Sequence, residues 1–89
     1  MYTGFNLFGL RVETTDHCDN RIKNRCINIK DIISTLKKYP GIKKYNNTGK
    51  ELCIRKQNLS LFIEIRFNKI VLITAINKYA KYVKEAVVI

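Results

Sequence analysis

The chain has 89 residues, 46% of them hydrophobic and 27% charged, which suits one globular core and is too little for two, and argues against a disordered tail. Seventeen Lys and Arg stand against seven Asp and Glu, giving a formal net charge of +10 and a pI near 9.8. That surplus disfavours cationic ligands and favours phosphate-bearing partners, whose counterions are released on binding.

Most of the cations are Lys in a background of Ile and Asn, a mix that AT-rich codon usage also writes, so functional weight rests on where the charges fall. No apolar run approaches the roughly 18 residues that a membrane span needs. Residues Met1 to Leu10 have no basic start and are interrupted by Gly4, Asn6 and Gly9, unlike a secretory leader. Three scattered cysteines, Cys18, Cys26 and Cys53, fit reduced thiols in a cytoplasmic protein. With His17 they match no usual zinc spacing, so neither a metal nor another cofactor is expected.

In chain order, residues 5–13 carry Phe5, Leu7, Leu10 and Val12 around Gly9 and read as an N-terminal strand or an ordered arm. Thr14, Thr15 and Asp16 then offer N-cap chemistry for a helix reaching about Arg25. Its apolar stripe is thin: Cys18, Ile22 and Cys26. A second helix is capped by Asn28, with Ile29, Ile32, Ile33 and Leu36 at helical spacing, Lys37 and Lys38 in the last turn, and Pro40-Gly41 as the stop.

After Gly41 the period changes to two. Ile42 to Tyr45 reads as a first strand, and Asn46-Asn47-Thr48-Gly49 as a turn. Leu52 and Ile54 alternate with Glu51, Cys53 and Arg55 in a second strand. Residues 59–67 alternate cleanly in a third, and Ile70 to Ile76 is apolar enough for a central strand. From Asn77 onwards, Ile76, Tyr79, Ala80, Val83 and Val87 share a helical face. The expected fold is therefore α+β: two N-terminal helices packed on an antiparallel β-meander of about four strands, with a short C-terminal helix, in one domain spanning 1–89.

Two groups of residues could carry chemistry. His17, Arg21 and Arg25 recur at four-residue spacing along one face of the first helix. An imidazole can exchange a proton near neutral pH while guanidinium groups hold a phosphate in two places. That combination suits 2′-OH attack on a phosphodiester, although a solvated helix face would show the same spacing. Glu64 and Arg66 share the polar face of the third strand, with Arg55 on its neighbour. They read either as a general base with a phosphate-binding arginine or as a cross-strand salt bridge. Thr74 is the one hydroxyl of the last strand. Lys43, Lys44, Lys50, Lys56 and Lys69 form a positive rim, and Tyr45, Tyr79 and Tyr82 are candidates for stacking on bases.

The run HCDNRIKNRCINIKDIISTL resembles the opening of the DUF4258 family, with its His-x3-Arg-x3-Arg-x-Ile helix followed by a helix ending in Leu. Residues 71–76, VLITAI, are similar to the closing ITxY motif of that family. The similarity covers roughly residues 14–76, with Cys26 in place of the usual Gly and Ile76 in place of the closing Tyr. It implies a place in the RelE/barnase-like group of metal-independent ribonucleases, many of them toxins. It also implies a site drawn from His17, Arg21 or Arg25, a strand arginine (Arg55 or Arg66) and Thr74. Apart from the resemblance, the basic residues Lys43, Lys44, Arg55 and Lys56 are the candidates for holding RNA. The expected function is a toxin-like endoribonuclease with RNA as substrate and an acidic antitoxin or immunity protein as a candidate partner. The alternatives are a non-catalytic RNA-binding module and a phage or mobile-element protein that blocks a host protein.

Overall fold

A computed structural model describes residues 1–80 and the backbone of Val87–Val88. Two strands come first, β1 (Tyr2–Leu7) and β2 (Leu10–Thr14), joined at Phe8 and Gly9, both at positive φ. Helices α1 (Asp16–Asn24) and α2 (Ile29–Leu36) follow, then a 3-10 segment (Pro40–Tyr45). The strands β3 (Glu51–Lys56), β4 (Leu59–Arg66), β5 (Lys69–Ile76) and β6 (Val87–Val88) complete one sheet in the order β1-β2-β5-β4-β3-β6.

The α+β class expected from the sequence is present, but the sheet is mixed. Only β3-β4-β5 is an antiparallel meander, whereas β2 lies parallel to β5 and β3 parallel to β6. The weak N-terminal pattern is a full hairpin, because β1 closes the edge of β2. Ile42 to Tyr45 is not a strand. Pro40 presets the turn, Ile42 alone is buried, and the segment tightens into 3-10 geometry. The C-terminal helix expected from Asn77 is absent over residues 77–80, and residues 81–86 and 89 lie outside the described residues.

The core sits between α2 and one face of the sheet. Ile32, Ile33 and Leu36 of α2 meet Val12, Leu52, Ile54, Leu61, Ile63, Ile65, Ile70 and Leu72, most of them with no exposed surface. Burial of this kind contributes about 1.5–3 kcal/mol for each large apolar side chain. The second face carries Cys53, Phe62 and Thr74, which stand in register across three strands. Ile73 is the extra residue of a bulge there, since Ile63 pairs with Leu72 and Phe62 with Thr74.

Helix α1 follows β2 without a break. Its cap, Thr15, accepts a hydrogen bond from the Cys18 amide at 3.1 Å and donates to the Ile73 carbonyl at 3.0 Å. The Thr15 amide bonds the Leu72 carbonyl, and Asn77 Nδ2 bonds the Arg25 carbonyl. The helix thus runs beside the last half of β5, where β2 has ended, and Cys18 is the residue it buries.

Candidate nucleic-acid interface

The two groups expected from the sequence occupy different elements. Because Cys18 and Ile22 turn inward, His17 and Arg25 are exposed and Arg21 is half-buried along the flank of α1. The four-residue spacing therefore does place imidazole and guanidinium groups on one side of a helix. Asp16 and Asp19 favour its N-terminus, and Thr14 Oγ1 donates to Asp19.

Glu64, Arg66, Arg55 and Thr74 lie on the sheet face away from the α2 core. Among the described residues, no hydrogen bond or ion pair joins this set to His17, Arg21 or Arg25. Glu64 lies 3.8 Å from Arg66 on its own strand, so this ion pair is not the cross-strand bridge expected, and among the described residues Arg55 forms no ion pair with Glu64. Arg55 is engaged by the chain itself: Nη1 donates to the Ala80 carbonyl at 2.9 Å, and the guanidinium lies 4.5 Å from the centre of the Tyr79 ring. One face of that tyrosine, expected as a stacking surface, is thereby taken. Thr74 Oγ1 is buried with no hydrogen-bond partner among the described residues.

Lys43 and Lys44 are exposed on the 3-10 segment, with Lys44 Nζ 5.3 Å from the centre of the Tyr45 ring. Lys56 is close enough to Lys38 that its ammonium pKa is lowered, first by that hydrogen bond and like charge, with Asp31 opposing. It lines a cavity of about 330 Å³ shared by Cys26, Asp31, Thr35, Leu59 and Asn77, which His17, Arg21 and Arg25 do not line. Burial raises the thiol pKa of Cys18 to about 11, and the Cys53 thiol is also raised, whereas Cys26 is exposed. Among the described residues, no group of three or more His, Cys, Asp or Glu is arranged to hold a metal ion. Nor is any helix among them long and apolar enough to cross a membrane.

A second cationic feature escaped the sequence reading. Arg11 is in register with Lys69, and Lys69 with Arg66, so three neighbouring strands align their cations at one end of the sheet. Glu13 approaches Arg11 at 3.3 Å and Lys69 at 3.5 Å. Next to Arg66, at the β4–β5 turn, Phe67 is 75% exposed. By the alternation of residues 59–67, Phe67 falls on the same face as Leu61, Ile63 and Ile65, which are buried. Strand pairing ends at Arg66 and Lys69, however, so Phe67 lies in the turn and escapes the strand's facing rule.

No family model matches the chain, and neither a curated protein nor a solved structure is significantly similar to it.

Proposed function

We propose that this domain binds RNA and cleaves it by 2′-OH attack, with the His17-Arg21-Arg25 flank of α1 holding the phosphate. The observation that supports RNA binding is unneutralised charge. Among the described residues only Arg11, Arg66 and Lys69 form ion pairs, leaving Arg21, Arg25, Lys43 and Lys44 without a carboxylate within 4.0 Å. Exposed cations of this kind attract phosphate and release its counterions.

Cleavage is the narrower claim. It rests on the resemblance of residues 14–76 to the DUF4258 family, which implies the metal-independent ribonuclease group, and on the exposure of His17 on the helix flank shared with Arg21 and Arg25. In such a reaction His17 takes the 2′-OH proton or protonates the leaving 5′-oxygen, and Arg21 or Arg25 stabilises the phosphorane charge.

The test is incubation of the purified protein with single-stranded RNA in EDTA, beside His17→Ala and Arg21→Ala. Cleavage lost in both variants supports the reading. Equal RNA loss with all three proteins points to a contaminant and ends the catalytic claim. Salt-sensitive binding without products leaves a non-catalytic RNA-binding module. No binding at about 0.15 M salt removes RNA altogether and favours a protein partner.

A further inference from the structure

The β4–β5 hairpin is built against its own backbone preferences. Phe67 and Asn68 form its two-residue turn at φ 52° and 55°, a conformation that suits Asn and Gly and penalises a bulky ring. The exposure of Phe67 adds a second cost, because its ring is left in water. Nothing in the hairpin requires Phe at that position, since Asn-Gly or Asn-Asn would turn the chain with less strain.

The turn is nevertheless held firmly. Asn47 Oδ1 accepts from the Phe67 amide at 2.8 Å, and Asn46 Oδ1 accepts from the Asn68 amide at 3.1 Å. Asn46 Nδ2 donates to Asn68 Oδ1 at 2.9 Å, and the Asn47 amide bonds the Ile65 carbonyl at 2.9 Å. The 3-10 segment that carries Lys43 and Lys44 thus ends in a clamp on the hairpin. Arg66 and Lys69 are the last paired residues of the two strands before the turn, and Arg11 continues their row. The turn therefore holds an exposed aromatic residue at positive φ, next in the chain to Arg66 and two residues before Lys69, at a backbone and solvation cost that a ligand covering the ring would offset.

We infer that Phe67 is a stacking platform for an unpaired base of a single-stranded nucleic acid, with the Arg11-Lys69-Arg66 row and Lys43 and Lys44 meeting the adjoining phosphates. The inference rests on the RNA reading above and names the form of RNA bound. Every base offers a π-face, so stacking needs no sequence match, and paired bases in a duplex are closed to it. Charge complementarity favours this occupant. Against the two carboxylates that reach the row, Glu13 and Glu64, stand its three cations and the two open lysines. A lipid surface fits less well. Among the described residues, the other large apolar side chains with notable exposure are Met1, Tyr2 and Tyr79, and the rings of Tyr2 and Tyr79 already carry Arg11 and Arg55. One phenyl ring is too little apolar area to seat a protein in a bilayer.

The experiment measures binding of a labelled 12-nucleotide RNA, as a single strand and as a duplex, to wild type, Phe67→Asn and Phe67→Trp. Asn suits the positive φ, so Phe67→Asn keeps the fold, which its thermal transition verifies. The expected result is a loss of roughly 10-fold in single-strand affinity with an unchanged salt slope, and no loss for the duplex. Phe67→Trp keeps the affinity. Because the chain has no other Trp, its emission reports stacking by quenching when the single strand binds. Wild-type binding that Phe67→Asn leaves intact overturns the platform while sparing the RNA reading. Failure of wild type to bind either RNA overturns both. Binding to phosphatidylserine vesicles that depends on Phe67, without RNA binding, reassigns the tip to membranes.

Discussion

Thr15 and Ile73, 58 positions apart, are joined by a 3.0 Å hydrogen bond from the threonine hydroxyl to a carbonyl at the bulge of β5. The same oxygen caps α1 by accepting from the Cys18 amide. One side chain therefore starts the helix that presents His17 and fixes it to the sheet. The bulge is what leaves the Ile73 carbonyl free of the strand ladder for this use.

Thr15→Ala removes both bonds. Loss of an N-cap costs about 1 kcal/mol and the orphaned carbonyl about as much again, so urea unfolding is expected to shift by roughly 1–3 kcal/mol. Thr15→Ser, which keeps the hydroxyl, restores most of the loss. An unchanged midpoint in the Ala variant would show that the tie carries no stability.

Cys26 stands just past the end of α1 with φ 53°. The Ile27 amide bonds the Ile22 carbonyl at 3.1 Å, the six-to-one bond of a Schellman ending, in which this position favours Gly. Cys26→Gly is therefore expected to raise stability by about 1 kcal/mol in denaturant unfolding. A lower midpoint would show that the thiol makes a contact that outweighs the backbone strain.

The buried thiols give alkaline stability a defined sign. Burial lifts Cys18 from the ordinary thiol pKa of 9.0 to about 11. Between these values the unfolded chain releases its proton while the folded chain keeps it, so the unfolded state gains as pH rises. The stabilisation is complete below pH 9.0 and is lost progressively as pH rises towards 11. Unfolding free energy measured from pH 8 to 11, beside Cys18→Ala, should converge on the slope of the variant once this contribution is subtracted. Parallel pH slopes for the two proteins would refute the assignment.

Ser60 has no exposed surface, and its hydroxyl donates to the Lys78 carbonyl at 2.7 Å while accepting from the Ala80 amide at 2.9 Å. Ser60→Ala leaves both backbone groups unpaired, a cost of about 1–3 kcal/mol. It also weakens the seat of residues 77–80, where Arg55 is held. Limited trypsin digestion is expected to cut after Lys78 faster in the variant, and equal rates would show that Arg55 alone secures the segment.

The two α-helices were legible in the sequence because their signals are local. Asn28 caps α2 through the Lys30 amide, and the Ile-Ile-Leu stripe faces the core as its spacing requires. The alternation of β4 was equally plain, since Leu61, Ile63 and Ile65 are buried while Glu64 and Arg66 keep solvent contact. The His17-Arg21-Arg25 flank followed from helical geometry alone.

Partner choice was not legible. Nothing in Leu10–Thr14 names Lys69–Leu72 as its parallel neighbour, because a strand pattern states which face is buried and not which strand lies alongside. The same limit hid the Arg11-Lys69-Arg66 row, assembled from residues far apart in the chain. Residues 42–45 were too short for a period to separate a strand from a 3-10 turn. By itself the sequence determined a small basic α+β chain with two capped helices and a cationic helix flank, since each depends on contacts within a few residues. Tertiary structure alone decided the parallel pairing, the bulge at Ile73 and the clamped exposure of Phe67, because those depend on which distant backbone groups meet.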